Sequence, residues 1–195
     1  MIINEKLKKE LFNLEDNINL LTTNDRLTDT QLENFLKGFE KIRYNLLSEI
    51  KLYNQTKEFE YERIKTLDDD YKAEYTNNML KIYIPEVMPS YKNLKTHTHK
   101  RILLNVADKT KMFANMFDGE VIIYIKVFDK IQTWDIDNKF IKTISDGLIM
   151  SGVIKDDNIS KMFYCAKGEF SETPHTEVYI FEGKNVSDFL ENIVS

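Results

Sequence analysis

The chain has 195 residues, a formal net charge of −5, 42% hydrophobic residues and 12% aromatic residues, which suits one ordinary domain or a small domain with an appendage. Its longest apolar run, Val121-Ile-Ile-Tyr-Ile125, is far below the ~20 residues of a membrane span, and Met1-Ile-Ile-Asn-Glu-Lys lacks the pattern of a signal peptide. Cys165 is alone, so no intramolecular disulfide can form, and a cytoplasmic location without membrane contact is the expectation.

Residues 4–22 read as a helix, because Leu7, Leu11, Leu14, Ile18 and Leu21 recur with heptad spacing. Thr22-Thr23-Asn24-Asp25 breaks it. Thr28 or Thr30 can cap a second helix, Glu33 standing three residues after Thr30 as in a capping box. Leu32, Leu36, Phe39, Leu46, Ile50 and Tyr53 continue an apolar stripe. A third amphipathic stretch, Lys57 to Tyr75, carries Phe59, Ile64, Leu67 and Tyr71 and includes Asp68-Asp69-Asp70, which reads as solvated helix. Residues 1–78 are therefore expected to form a helical hairpin or coiled-coil-like module that buries its stripe on itself, on the rest of the chain, or on a second copy.

From Leu80 the period changes. Lys81 to Ile84 alternates as a strand, and Pro85 ends it. Lys100 to Phe117 reads as a helix, and Asp118-Gly119 as a turn. Val121–Phe128 is a buried strand, residues 138–150 a helix, and Ile159–Cys165 a strand. Thr176–Glu182 alternates again, with Val178 and Ile180 on one side and Tyr179 and Phe181 on the other, so an antiparallel hairpin with the preceding strand is expected. Ser187 can cap a last short helix. Residues 79–195 thus predict an α+β domain, a small mixed sheet with packing helices in the order β-α-β-α-β-β-α, behind the N-terminal helical hairpin.

No Gly-x-Gly-x-x-Gly, P-loop, Gly-x-Ser-x-Gly or zinc-type Cys/His cluster is present. Neither part of the chain is basic: residues 1–78 carry a net charge of −4 and residues 79–195 one of −1. Basic residues do gather locally, at Lys92, Lys95, His97, His99, Lys100 and Arg101. The 23 lysines against 4 arginines make bidentate phosphate forks scarce, and a solvated loop and helix face is the simpler reading of this cluster.

The densest chemistry lies in Trp134-Asp135-Ile136-Asp137-Asn138, followed by Lys139, Lys142, Asp146 and, after Gly152, Asp156-Asp157. Asp135 and Asp137 stand where the long strand ends and a helix begins, and a helix with a reversing turn could bring Asp156-Asp157 back towards them. Three converging carboxylates can hold a hard divalent cation, and such a cation can activate water against a phosphodiester. The alternatives are helix capping by one of the first pair, an exposed turn for the second pair, and an i,i+4 ion pair for Lys142 and Asp146.

This order of residues, with Lys81-Ile-Tyr-Ile-Pro85-Glu-Val-Met-Pro89-Ser-Tyr-Lys92 upstream, resembles the RusA-like family of Holliday-junction resolvases over roughly residues 79–182. The resemblance implies a Mg²⁺-dependent (or Mn²⁺-dependent) endodeoxyribonuclease of DNA recombination and repair, acting as a homodimer on four-way junctions. It implies Asp135, Asp137 and Asp157 as metal ligands with Asp156 beside them, and Lys142 as the catalytic lysine. Ile141 occupies the family's lysine position, one residue earlier. Lys92, Lys95, Lys100, Arg101, Trp134 and Lys139 would then face DNA. The alternative is a non-catalytic adaptor or regulatory protein of a phage or other mobile element that keeps the fold.

Overall fold

The apolar stripe beginning at Leu7 and the threonines that follow it produce two helices, α1 (Glu5–Thr23) and α2 (Asp29–Gln55). The structure, a computed structural model, describes residues 5–23, 28–59, 63, 65–89, 96–130, 141–155 and 161–189. Thr28, not Thr30, caps α2. Its hydroxyl accepts from the Gln31 N–H at 3.3 Å, and the Gln31 side chain accepts from the Thr28 N–H at 3.0 Å, a reciprocal capping box. Leu7, Ile42 and Ile50 are buried, and Glu10 joins the two helices through Lys41 (3.0 Å) and Asn45. Leu11, Ile18, Leu32, Leu36 and Phe39 stay exposed. These helices belong to a first compact unit, Met1–Thr66 with Lys95–Arg101; the second is Leu67–Leu94 with Ile102–Ser195.

The expected third helix is replaced at its C-terminal end by sheet. Leu67–Asp70 is a 3₁₀ turn and Lys72–Thr76 is a strand, β1. It pairs antiparallel with β2 (Met79–Ile84). Asn77 and Asn78, with φ of 51° and 58°, make the two-residue connection. Asn tolerates the left-handed region that such a hairpin turn needs. Lys72-Ala-Glu-Tyr-Thr76 therefore uses its period of two, and its helical reading fails because a turn signal follows it directly.

The second unit is α+β, built on a five-stranded mixed sheet in the order β1-β2-β5-β3-β4. β3 is Val121–Asp129, β4 Met162–Phe170 and β5 His175–Glu182. β4 and β5 do not form the expected hairpin. β3 lies between them, antiparallel to β5 and parallel to β4. Burial explains this: the apolar β3 takes a place with neighbours on both edges, and the more exposed β4 takes the margin.

Alternation assigns the two faces. Leu80, Ile82 and Ile84, then Val178 and Ile180, then Val121, Ile123, Ile125 and Val127 form one aliphatic surface. Ile102 and Val106 of α3 (Thr96–Thr110), and Ile144 and Leu148 of α4 (Lys142–Met150), close over it. Each such side chain contributes about 1.5–3 kcal/mol on burial. α3 and α4 meet closely: a Cβ on Gly147 would lie 2.9 Å from Val106 Cβ and Cγ1 and 3.0 Å from the Leu103 carbonyl oxygen. Thr110 completes the junction, its hydroxyl bonded to the Val106 carbonyl (2.7 Å) and to Ser151 Oγ (2.9 Å). Gly152, at φ 75°, turns the chain after α4, and its carbonyl accepts from the Asn115 N–H at 2.8 Å. Beyond β5 the described chain ends in a short helix, α5 (Val186–Phe189).

Gly147→Ala tests this packing. Helix propensity alone favours Ala by about 1 kcal/mol, whereas overpacking costs about 1–3 kcal/mol. We expect a net loss of stability in urea denaturation followed by circular dichroism. In a Val106→Ala background the same change should be less damaging; an equal loss in both backgrounds would refute the contact.

Candidate binding surface

The side chains on the other face of the sheet come from the alternate positions of the same strands. Met79, Lys81 and Tyr83 lie on β2; His175, Glu177, Tyr179 and Phe181 on β5; Ile122, Tyr124, Lys126 and Phe128 on β3. β4 adds Phe163, Cys165, Lys167 and Glu169, and β1 adds Lys72 and Glu74. Tyr124, Tyr179 and Phe181 form a small buried cluster here with Met79 and Ile122.

The central charges are paired. Lys81 Nζ sits 2.9 Å from Glu177 Oε1, and the Tyr179 hydroxyl donates to the other Glu177 oxygen. Burial alone would raise the Glu177 carboxyl, but the hydrogen bonds from Tyr179 and Lys81 outweigh it and hold the group below the usual glutamate range. Burial, and then the Glu177 carboxylate, push the Tyr179 phenol far up. Next to this group, Glu169 takes Lys126 and Lys167, each at 3.0 Å, and the Lys167 hydrogen bond leads in holding its carboxyl low. An aromatic row crosses three strands: Tyr83 lies 5.3 Å from the His175 ring, which stacks on Phe128 at 4.2 Å.

The pairing stops at the β1 end. A cleft of about 400 Å³ opens there, lined by Asp70, Lys72, Glu74, Lys81, Tyr83 and Pro85. Glu74 stands opposite Lys81 in the ladder, yet Lys81 turns to Glu177. The side chains of Asp70, Lys72 and Glu74 have no ion-pair or hydrogen-bond partner among the described residues. The cleft is held in place from beneath: Tyr71 donates to Glu86 at 2.6 Å, and Thr176 to the Glu86 carbonyl at 2.9 Å. A second cavity, of about 320 Å³, is lined by Phe117, Asp118, Gly119, Val121, Ile154, Lys155 and Lys161.

Most of the residues singled out from the sequence lie outside the described residues: Asp135, Asp137, Asp156, Asp157, Trp134, Lys139, Lys92 and Lys95. Lys142 opens α4 and pairs with Asp146 at 3.0 Å, the i,i+4 geometry that their spacing allowed. Lys100 lies 5.7 Å above the Tyr44 ring, within the first unit, and Arg101 is buried. Among the described residues no group of three His, Cys, Asp or Glu side chains is placed to hold a metal ion. None of the described helices is long and apolar enough to cross a membrane. The sequence reading missed the cleft because it assigned Lys57–Tyr75 to a helix. The overlooked signal is the alternation of residues 72–76 ahead of Asn77-Asn78.

No family model matches the chain, and no curated protein matches it. Among solved structures it is similar to the periplasmic domain of Helicobacter pylori MotB, with 12% identity, a TM-score of 0.37, and coverage of 67% of this chain and 95% of that one. It is also similar to the cell wall anchor of the T6SS from Pseudomonas aeruginosa, with 11% identity, a TM-score of 0.33, and coverage of 58% and 89%. The RusA-like reading is corrected here: no family model supports it, and these two structures are a periplasmic domain and a cell wall anchor, neither of them a resolvase. The endonuclease and recombination function, the adaptor variant of it and the branched-DNA partner are withdrawn together. The cytoplasmic location is withdrawn as well; one unpaired cysteine is compatible with other compartments. The physical source of the misreading is composition, because 15 aspartates in the chain make short acidic motifs recur, as at Asp68-Asp69-Asp70. The likenesses themselves, with TM-scores of 0.37 and 0.33, lend this chain no function.

The Glu177 network yields a pH test. A carboxyl held low when folded contributes stability that is present above the ordinary glutamate range and is lost as pH falls through the folded value. We expect Glu177→Gln to lose about 1–2 kcal/mol near neutral pH, where charge-assisted bonds are intact. Urea denaturation should show the gap from wild type closing as pH is lowered into the acid range; a gap independent of pH would refute the assignment.

Proposed function

We propose that the second unit is a binding module whose cleft at the β1–β2 margin takes a small zwitterionic ligand, such as a free amino acid or a short peptide. The observation that carries this reading is the set of uncommitted charges around Tyr83. Asp70 and Glu74 are two carboxylates without partners among the described residues, and Lys72 is an ammonium in the same condition. A pocket of a few hundred Å³ with a few convergent polar groups is the usual form of a small-molecule site.

The charge pattern favours a ligand that carries both signs. A polyanion would meet Asp70 and Glu74, and a polycation would meet Lys72. An ammonium placed between the carboxylates, with a carboxylate on Lys72, satisfies all three. The Tyr83 ring and Pro85 offer apolar contact to a side chain between those ends. Because these groups are exposed, their ion pairs are individually weak. An affinity of about 1 mM, equivalent to about −4 kcal/mol, is the expected scale.

Titration with the dipeptide alanyl-tyrosine, followed by amide chemical shifts, tests the reading. We expect shifts within residues 70–76 and 81–85. They should weaken several-fold in Lys72→Ala and in Glu74→Gln, and should be absent with N-acetyl-tyrosine amide, which carries no charge. Equal shifts from the blocked compound, or none from the dipeptide at millimolar concentration, would overturn it.

A further inference from the structure

We propose that β4 is a self-association edge, pairing antiparallel with β4 of a second copy of this chain about a two-fold axis at Gly168. The inference rests on the opposite margin of the sheet from the cleft and does not depend on the ligand reading. β4 occupies the end of the strand order, so β3 takes one of its hydrogen-bonding edges and no described strand takes the other. The pairing with β3 runs without interruption from Val121↔Met162 to Asp129↔Phe170, so no bulge turns the edge away. Nor does the strand contain proline. Natural proteins guard exposed edges with bulges, prolines, inward charges or short length, and a long apolar edge without them is a template for another strand.

The side chains agree. Phe163 is 52% exposed, Tyr164 64% and Phe170 52%, although they belong to a nine-residue strand. Lys167, the strand's only lysine, lies 3.0 Å from Glu169, its only acid, so β4 by itself carries one charge of each sign. The edge therefore lacks the net charge that would repel a copy of itself.

Charge complementarity selects the second copy as occupant and fixes the register. In an antiparallel pair about a two-fold axis, opposed residue numbers have a constant sum. With Gly168 on the axis, Lys167 faces Glu169 of the second copy, and Glu169 faces its Lys167, both pairs on one face of the joined sheet. Ala166 faces Phe170, covering the exposed ring, and Cys165 faces Ser171. Moving the axis by one residue either way sets Lys167 against Lys167 or Glu169 against Glu169, like charges directly opposed, which is destabilising. Moving it to Ala166 leaves both charged groups opposite uncharged or apolar ones. Within the strand, pairing about Gly168 covers residues 166–170, and the Cys165–Ser171 pair closes it, Ser171 being the first residue past the strand and ahead of the bend at Glu172.

Two measurements on the full chain test this. Light scattering across the micromolar range should report a concentration-dependent dimer. Lys167→Glu, at an exposed position, should shift the dimer to monomer by at least tenfold in concentration, because it opposes two carboxylates on each side of the axis. Opposed antiparallel residues have Cα atoms about 4.5–5.5 Å apart, within disulfide range. Ser171→Cys should therefore form an intermolecular disulfide with the native Cys165 under mild oxidation. The wild type should not cross-link, and Lys167→Glu should suppress cross-linking of the Ser171→Cys chain. A monomer at every concentration would overturn the proposal, as would a dimer indifferent to Lys167→Glu. Cross-linking of wild type through Cys165 alone would refute the Gly168 register. Lys72→Ala should leave the dimer intact, which keeps this result separate from that of the cleft.

Discussion

Burial of one aliphatic surface governs the second unit. β2, β5 and β3 each place isoleucine, leucine or valine at every second position over their central residues, and α3 and α4 cover that side. A strand cannot slip by one residue without turning this set to the other face, so the core fixes the register of the three strands together. It also fixes what stands on the opposite face. Lys81 must point away from the core because Leu80 and Ile82 point into it, and the same holds for Glu177, Tyr179, Tyr124 and Lys126 around their own buried neighbours. Gly147 extends the constraint to the helices, since only the absence of a side chain lets α4 approach Val106 so closely.

The opposite face is therefore mixed, an aromatic and apolar cluster with charges set among it, and its electrostatics divide it. Where strands flank a residue on both sides, every charge finds an opposite one within reach: Lys81 takes Glu177, and Lys126 takes Glu169. Such pairs, half-withdrawn from water, hold each other in place and leave little attraction for a ligand. At β1 there is a neighbour on one side only. Lys81 is already engaged with the third strand, so Glu74 loses the partner that the ladder would have given it. Uncommitted charge at this margin follows from strand order and not from an excess of charged residues.

Periodicity made the central strands and their facing legible in the sequence. Val178 and Ile180 on one side and Tyr179 and Phe181 on the other stand as their alternation indicates. The cap of α2 was also legible, although the box closes on Thr28 and Gln31. Strand order was not, because hairpin connection is only the commonest outcome for consecutive strands. The insertion of β3 between β4 and β5 is settled by the burial that β3 demands on both faces, a property of the assembled sheet. β1 was misread because Phe59, Ile64, Leu67 and Tyr71 match a helical stripe, while the competing signal, two asparagines able to adopt positive φ, occupies only two positions. A helical reading of this stretch hides Lys72 and Glu74, whereas Asp135, Asp137, Asp156 and Asp157, the denser acids of the sequence, lie outside the described residues. Lys142 and Asp146 illustrate the hazard of such motifs: a lysine and an acid four apart on a helix satisfy each other first.

The two margins of the sheet carry different protection, and this separates their uses. β1 is five residues long and presents Lys72 and Glu74, a short charged edge of the kind that resists pairing with another strand. Its charges remain available to solutes instead. β4 is nine residues long, sets its one lysine 3.0 Å from its one glutamate, and exposes three aromatic rings. A solute finds little fixed charge there, whereas a strand finds unsatisfied backbone groups and apolar cover together. The proposed ligand margin and the proposed chain margin are separated by three strands, β2, β5 and β3, whose register the core locks.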